Sequence, residues 1–315
     1  MKKQTLFILF AAALVAGGLF AWLKSGEGTV AEKQAEMPAP SKVITVGDTV
    51  ALYRTPYLND HSVIYSPEEK KWHLYGIAYP QSEFIHLVAD SLTQEGWTKL
   101  EPFSDGGAEI WAPHIIRNGD LYHMYYTKIG TPREIHHVTS KDLYTWSKSE
   151  GPVLALSNEF SDNLKNKDPM VFRDEDRNQW IMYYSVLKDA KHWVVGYSTS
   201  KDLDNWSDMK ICFDENTESP GVESPFVVKR GDDFYLFLSA RPWPVGGEDI
   251  FRSQSPFRWE VKDKVKRIDP WHAAEVVQDI DGKWYLTLSS GIQADDLKIA
   301  PLNWNDGLQE NILAK

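Results

Sequence analysis

The chain begins with Met1-Lys2-Lys3 and an uncharged, largely apolar run over residues 5–23, closed by Lys24. A basic start followed by such a run is the pattern of an export segment. It is longer than the ~7–15 residue core of a cleaved signal and close to the ~20 residues that cross a bilayer. Residues 1–23 are therefore expected to form a signal peptide or signal-anchor helix. Its lysines would stay on the cytoplasmic side and the remainder would be periplasmic or extracellular. Residues 24–42 (KSGEGTVAEKQAEMPAPSK) are polar with no apolar periodicity, which predicts a disordered tether before a folded domain at 43–315.

Beyond residue 43 the pattern changes to short apolar strands separated by Gly/Asn/Asp turns, with no stretch of helical period. Five segments repeat one plan: a lead residue, an apolar strand, a tight turn and an aromatic strand. They start at Asp60, Ala112, Asp168, Glu223 and His272, with the turns EEKK, NGD, DEDRN, GDD and DGK. Third strands follow, such as IHHVTS from Ile135 and VVGYSTS from Val194. The units close at Trp97, Trp146, Trp206 and Trp259, twice through an SKDL motif. A strand-turn-strand unit recurring every ~50 residues predicts an all-β fold, a five-bladed β-propeller of four strands per blade. Residues near 43–53 and 297–304 are the expected partners in the blade that closes the ring.

Composition changes this picture little. The 13 Trp, 14 Tyr and 13 Phe suit strand faces and also the apolar faces of sugar rings. The net charge of −11 argues against a nucleic-acid partner. The one cysteine, Cys212, excludes an intrachain disulfide and reads as a buried, inert thiol.

The lead residues carry the candidate chemistry. Inner strands of a propeller line its channel, so Asp60, Asp168, Glu223 and His272 should meet at one mouth. Turn-forming Asp explains one such residue poorly extended to three, and like charges gathered in a cleft imply a function or a cation. Two carboxyls flanking a glycosidic bond can donate a proton to the leaving oxygen and activate water or attack the anomeric carbon. No cofactor is required for that chemistry.

Together, Asn59-Asp60, Trp111-Ala112-Pro113, Lys167-Asp168-Pro169, Glu223-Ser224-Pro225 and His272 resemble the motifs of the five-bladed glycoside hydrolases. These are family 43 (arabinanases, xylosidases) and the related family 32 β-fructosidases, and the resemblance covers residues 50–305. It implies Asp60 as general base or nucleophile, Asp168 as the residue that modulates pKa and orients substrate, and Glu223 as general acid. It also places an axial calcium or water cluster near His272. His61 stands where these families commonly have proline. It could reach the sugar, as could Trp111, Arg241, Trp243, Trp271 and His272. His136-His137 has no third ligand at metal spacing, and the acidic turn Asp174-Glu175-Asp176 reads as a solvated hairpin tip. The expected partner is a carbohydrate, bound by a monomer that touches a membrane only through its N-terminal segment. A phosphorylase or transglycosylase, or a non-catalytic carbohydrate-binding propeller, would use the same scaffold.

Overall fold

A computed structural model describes residues 44–308, apart from 56–57, 79–80, 131–132, 155–165, 189–191, 217–221, 241–246 and 290–295. The expected signal or anchor at 1–23 and the tether at 24–42 lie outside the described residues. Among the described residues no helix is long and apolar enough to cross a membrane.

Among the described residues, twenty strands form five antiparallel sheets. The first two, β1 (Ile44–Val46) and β2 (Val50–Arg54), belong to the last sheet. Blade 1 is β3 (Leu58–Ser66), β4 (Lys71–Ala78), β5 (Glu83–Ala89) and β6 (Thr98–Ser104). Blade 2 is β7 (Ile110–Asn118), β8 (Leu121–Lys128) and β9 (Glu134–Ser140). Blade 3 is β10 (Asn166–Asp174), β11 (Gln179–Leu187), β12 (Trp193–Ser200) and β13 (Lys210–Phe213). Blade 4 is β14 (Glu223–Arg230), β15 (Asp233–Ala240), β16 (Gly247–Ser253) and β17 (Lys264–Ile268). Blade 5 is β18 (His272–Gln278), β19 (Trp284–Ser289) and β20 (Asp296–Trp304), completed by β1 and β2 along β20. The predicted ring closure is thus built by N-terminal strands on the C-terminal one. Blade 2 shows three strands among the described residues; the outer edge of β9 carries the His136–Pro152 and Ser140–Trp146 bridges.

The innermost strands contact one another in the cycle β3, β7, β10, β14, β18 and back to β3, so they enclose an axis. Alternating side chains on each sheet bury apolar faces against both neighbours. The core is accordingly five clusters, one at each blade-to-blade interface. Tyr75, Phe84 and Phe103 of blade 1 pack on Ile115, Met124 and Tyr126 of blade 2, for example. The SKDL motif works between blades. The Ser140 hydroxyl accepts the Leu143 amide (2.9 Å), which places Leu143 at φ 64° and aims its carbonyl at the Tyr75 hydroxyl of blade 1. Ser200, Leu203 (φ 73°) and Tyr125 repeat the arrangement one blade on, with the Tyr125 hydroxyl 2.7 Å from the Leu203 carbonyl. Cys212 is buried, as expected, and burial pushes its thiol well above the ordinary range.

Candidate active site

Each inner strand breaks register near its start. The slips fall between Asn59 and His61, Trp111 and His114, Lys167 and Met170, Glu223 and Phe226, and His272 and Glu275. At each one a residue adopts positive φ: Asp60 at 21°, Ala112 at 49°, Asp168 at 60°, Ser224 at 49° and Ala273 at 50°. A left-handed non-glycine residue costs ~1–2 kcal/mol, and a bulge of this kind re-aims the side chains around it. The bulges also correct the repeat phase. Glu223 and His272 are not equivalent to Asp60 and Asp168; they stand one residue earlier, with Asn59, Trp111 and Lys167. Two adjacent rings therefore supply the mouth, and acids come from both.

The three carboxylates do meet. The Ser224 hydroxyl donates to Asp60 Oδ1 at 3.0 Å, and the Ser224 amide donates to Asp168 Oδ2 at 3.1 Å. Thr127 of blade 2 accepts the Asp168 amide at 3.0 Å, which fixes that bulge. Lys167 Nζ lies 2.5 Å from Glu223 Oε1 and 3.4 Å from Asp168 Oδ2, with the Trp193 ring 5.1 Å away. His272 Nε2 lies 3.7 Å from Asp60 Oδ1 and 3.9 Å from Glu223 Oε2. The two carboxyls thus approach a common atom from blades 1 and 4. Lys167, Asp168, Glu223 and His272 are all buried.

Electrostatics follow from that burial. Asp60 is pushed up to about 8, first by burial and then by Asp168; Glu223 adds to the shift, while Lys167 and Ser224 oppose it. Burial works against the Lys167 ammonium, but Asp168, Glu223 and Asp60 outweigh it and hold Lys167 above the usual lysine value. A further buried acid, Glu248 of blade 4, reaches the start of blade 5. Its Oε1 accepts the Ser239 hydroxyl (2.6 Å) and the Ala274 amide (3.1 Å), while Ser239 accepts the Ala273 amide (2.9 Å). This pair braces the bulge that follows His272. Burial pushes Glu248 up to about 8, and Asp60 contributes to the shift.

Lys167, Ser224, Thr127 and Glu248 escaped the sequence reading. Lys167 could have been found by aligning the repeats on Pro113, Pro169 and Pro225, which puts it in phase with Glu223. The calcium expected near His272 would share its surroundings with Asp60 and Glu223. The carboxylates around that nitrogen already engage Lys167 and Ser224, and among the described residues no three His, Cys, Asp or Glu side chains are grouped to hold a metal.

Other candidates fall elsewhere. His61 is 3% exposed and shares a 2.7 Å hydrogen bond with Thr287, so it sits in the wall of the axis. Burial, then His272, push it down to about 3, which keeps it neutral. Trp111 is half-buried, donates to Glu109 and has the Arg133 guanidinium 4.8 Å from its ring centre. Trp271 packs on the cluster between blades 4 and 5, with Lys298 5.0 Å over its ring. Arg241 and Trp243 lie outside the described residues. His136 bonds Ser149 (2.7 Å), and His137 stacks on Tyr125. The acidic turn is not wholly solvated: Asp174 is 1% exposed and accepts from Arg177 and Gln179.

Comparison with known proteins agrees with this geometry. Residues 85–307 match the family described as "Glycosyl hydrolases family 43". Among solved structures, a thermostable family-43 glycoside hydrolase superposes with TM-score 0.63 at 16% identity, covering 84% of this chain and 98% of that one. An endo-arabinase from Bacteroides thetaiotaomicron gives TM-score 0.63 at 15% identity, over 82% of this chain and 100% of that one. A fructofuranosidase from Schwanniomyces occidentalis gives TM-score 0.61 at 18% identity, over 84% of this chain but 59% of that one. With the family match spanning most of the propeller, the chain belongs to the glycosyl hydrolases of family 43 and is a glycosidase.

Proposed function

We propose that the enzyme cuts its oligo- or polysaccharide between Glu223 and Asp60. Glu223 donates a proton to the leaving oxygen, Asp60 acts on the opposite side as base or nucleophile, and Asp168 orients the substrate and tunes the pair. The observation that carries this reading is the convergence of three carboxyls and one ammonium at the start of the inner strands. Such a cluster titrates as a unit. In the resting site burial and Asp168 favour the proton on Asp60; turnover uses the arrangement with that proton on Glu223 and Asp60 ionised. The singly protonated cluster is then the active form. Its last proton leaves near Asp60's value of about 8, so kcat/KM should fall above that pH.

The mechanism uses no metal. The basic, apolar start of the chain supports export of the domain to the periplasm or beyond, with residues 5–23 as leader or anchor, and cell fractionation would test it. For the chemistry, Asp60→Asn and Glu223→Gln should each lower turnover of a cleaved glycoside by roughly 10²–10⁴ while oligosaccharide binding persists. If both variants keep wild-type turnover, the assignment is wrong.

A further inference from the structure

Beneath the carboxylates the axis is open. Asp60 and Asp168 line one end of a narrow passage of about 30 Å³, and His114 and Glu275 line its other end. His114 and Glu275 also line a second cavity, about 1590 Å³, walled by later residues of the inner strands such as Val63, Phe172 and Val228. All five inner strands run the same way, so this cavity lies on the face opposite the mouth. A polar neck of about 30 Å³ has room for a water molecule, since one needs only ~10–15 Å³ of such space and a few polar partners.

The two residues at the neck form a pair suited to passing a proton. His114 Nε2 lies 3.2 Å from the Val171 carbonyl, which can only accept, so Nε2 carries hydrogen. Nδ1 then faces Glu275 Oε1 at 3.5 Å, and Glu275 Oε2 accepts the Val63 amide at 3.1 Å. Between Nδ1 and Oε1 there is one place for a proton, on either atom. Burial raises Glu275 above the ordinary glutamate value, and His114 opposes that shift. Nothing in the hydrolytic roles assigned above uses either side chain.

We propose that His114 and Glu275 form an axial relay that takes protons from Asp60, and returns water to it, through the face opposite the sugar. The inference rests on Asp60 acting as the base that activates water. In that reaction the water oxygen bonds the anomeric carbon while its proton goes to Asp60, and the leaving oxygen departs with the proton of Glu223. Asp60 then passes its proton through the water in the neck to the Glu275–His114 pair and on to solvent in the lower cavity. Glu223 regains a proton from solvent at the mouth when the product alcohol leaves. The relay lets Asp60 reset while product still covers the mouth. The other charged or titratable groups facing this route are Asp168 and His61 at the neck, and Tyr65, Lys70, Arg117, Arg173, Glu175, Lys229 and Asp281 around the cavity.

The test compares Glu275→Gln, Glu275→Asp and His114→Gln in the full-length protein, with Asp60→Asn beside them. Glu275→Gln keeps the acceptor for the Val63 amide but has no transferable acid proton. It should lower kcat about tenfold, less than loss of a direct acid–base group. KM should hold, and the solvent deuterium isotope effect on kcat should rise. Glu275→Asp should recover most of the rate. His114→Gln keeps a donor for the Val171 carbonyl and should reproduce the pattern if Glu275→Gln purifies poorly. Wild-type kcat and isotope effect in both Gln variants, with Asp60→Asn inactive, overturn the relay and leave the Asp60 assignment standing. An active Asp60→Asn overturns that assignment, and the relay with it.

Discussion

Replacing Lys167 by methionine isolates what one buried cation does for the site. The ammonium lies 2.5 Å from Glu223 and 3.4 Å from Asp168, and the residue is 7% exposed. At an effective dielectric of about 20, unit charges separated by 3.4 Å attract by ~5 kcal/mol before desolvation is counted. Removing one member of a buried pair typically costs about 3–5 kcal/mol, because its partner stays buried without compensation. The carboxyls have one escape, which is to bind a proton. In Lys167→Met the folded state should hold about one more proton than wild type across the weakly acidic to neutral range. Relative to the unfolded chain its carboxyls are then raised, so stability falls as pH climbs, by about 1.4 kcal/mol per pH unit for one proton. The deficit against wild type should be small near pH 5 and reach about 3–5 kcal/mol near pH 8. Wild-type Lys167, held above the usual lysine value, stays charged throughout and adds no slope of its own. Urea unfolding of both proteins at three pH values measures this, with Lys167→Arg as the charge-retaining control. A deficit equal at pH 5 and pH 8, or below about 1 kcal/mol at the higher value, would refute the argument.

Glu248 makes a related case with the partners kept. Its folded value of about 8 lies above the ordinary 4.5, so wild type loses stability as pH rises through that window. Glu248→Gln, which retains an oxygen for Ser239 and the Ala274 amide, should therefore gain on wild type by on the order of 2–4 kcal/mol between pH 5 and pH 8; parallel melting curves would contradict it. The buried histidines act in the opposite direction. His73 and His86 share a 2.9 Å hydrogen bond and are pushed down, by burial first, to about 4 and about 3. Their contribution is complete above pH ~6.5 and is lost as pH falls toward those values. A His73→Phe/His86→Phe double variant should flatten the acid side of the stability profile, and an unchanged slope in denaturant titrations would exclude this origin. Prolonged chelation with EDTA should leave turnover unaltered, and a loss restored by added calcium would defeat the metal-free reading.

The blades were legible because each strand must bury a face and each turn must reverse the chain, and both demands write a local pattern. Ring closure was readable for the same reason, since Val50 to Arg54 alternate as a strand with no other partner at the N-terminal end. Blade 2 shows where locality fails: nothing between Trp146 and Asn166 states whether a fourth strand pairs. The phase of the lead residues failed differently. Matching acid to acid aligned Asp60 and Asp168 with Glu223, whereas the backbone aligns them with Ser224. Charge follows the chemistry, but the proline that follows three of the five bulges, Pro113, Pro169 and Pro225, follows the chain geometry. His61 was hard to place for a related reason. Its partner, Thr287, lies across the ring seam, a contact that only closure creates.

The bulges also bear on how function was fitted to this fold. Strained backbone commonly marks a functional residue, and at Asp60 and Asp168 it coincides with the carboxylates proposed for catalysis. Yet Ala112 and Ala273 adopt the same left-handed turn with no polar side chain to present. Strain at all five positions therefore belongs to the architecture, as the means by which each inner strand starts at the channel mouth. Chemistry was then placed on sites the ring already provided: carboxyls in two blades at the turn itself, and Glu223 and Lys167 one residue before it. The acceptors behind the turns vary accordingly. Thr127 serves Asp168 and Ser239 serves Ala273, but the Ser224 amide is taken by the Asp168 carboxylate instead. That one exchange ties blade 3 to blade 4 through a catalytic candidate. Shortening Asp168 should therefore disturb the position of Glu223 as well as the charge beside it.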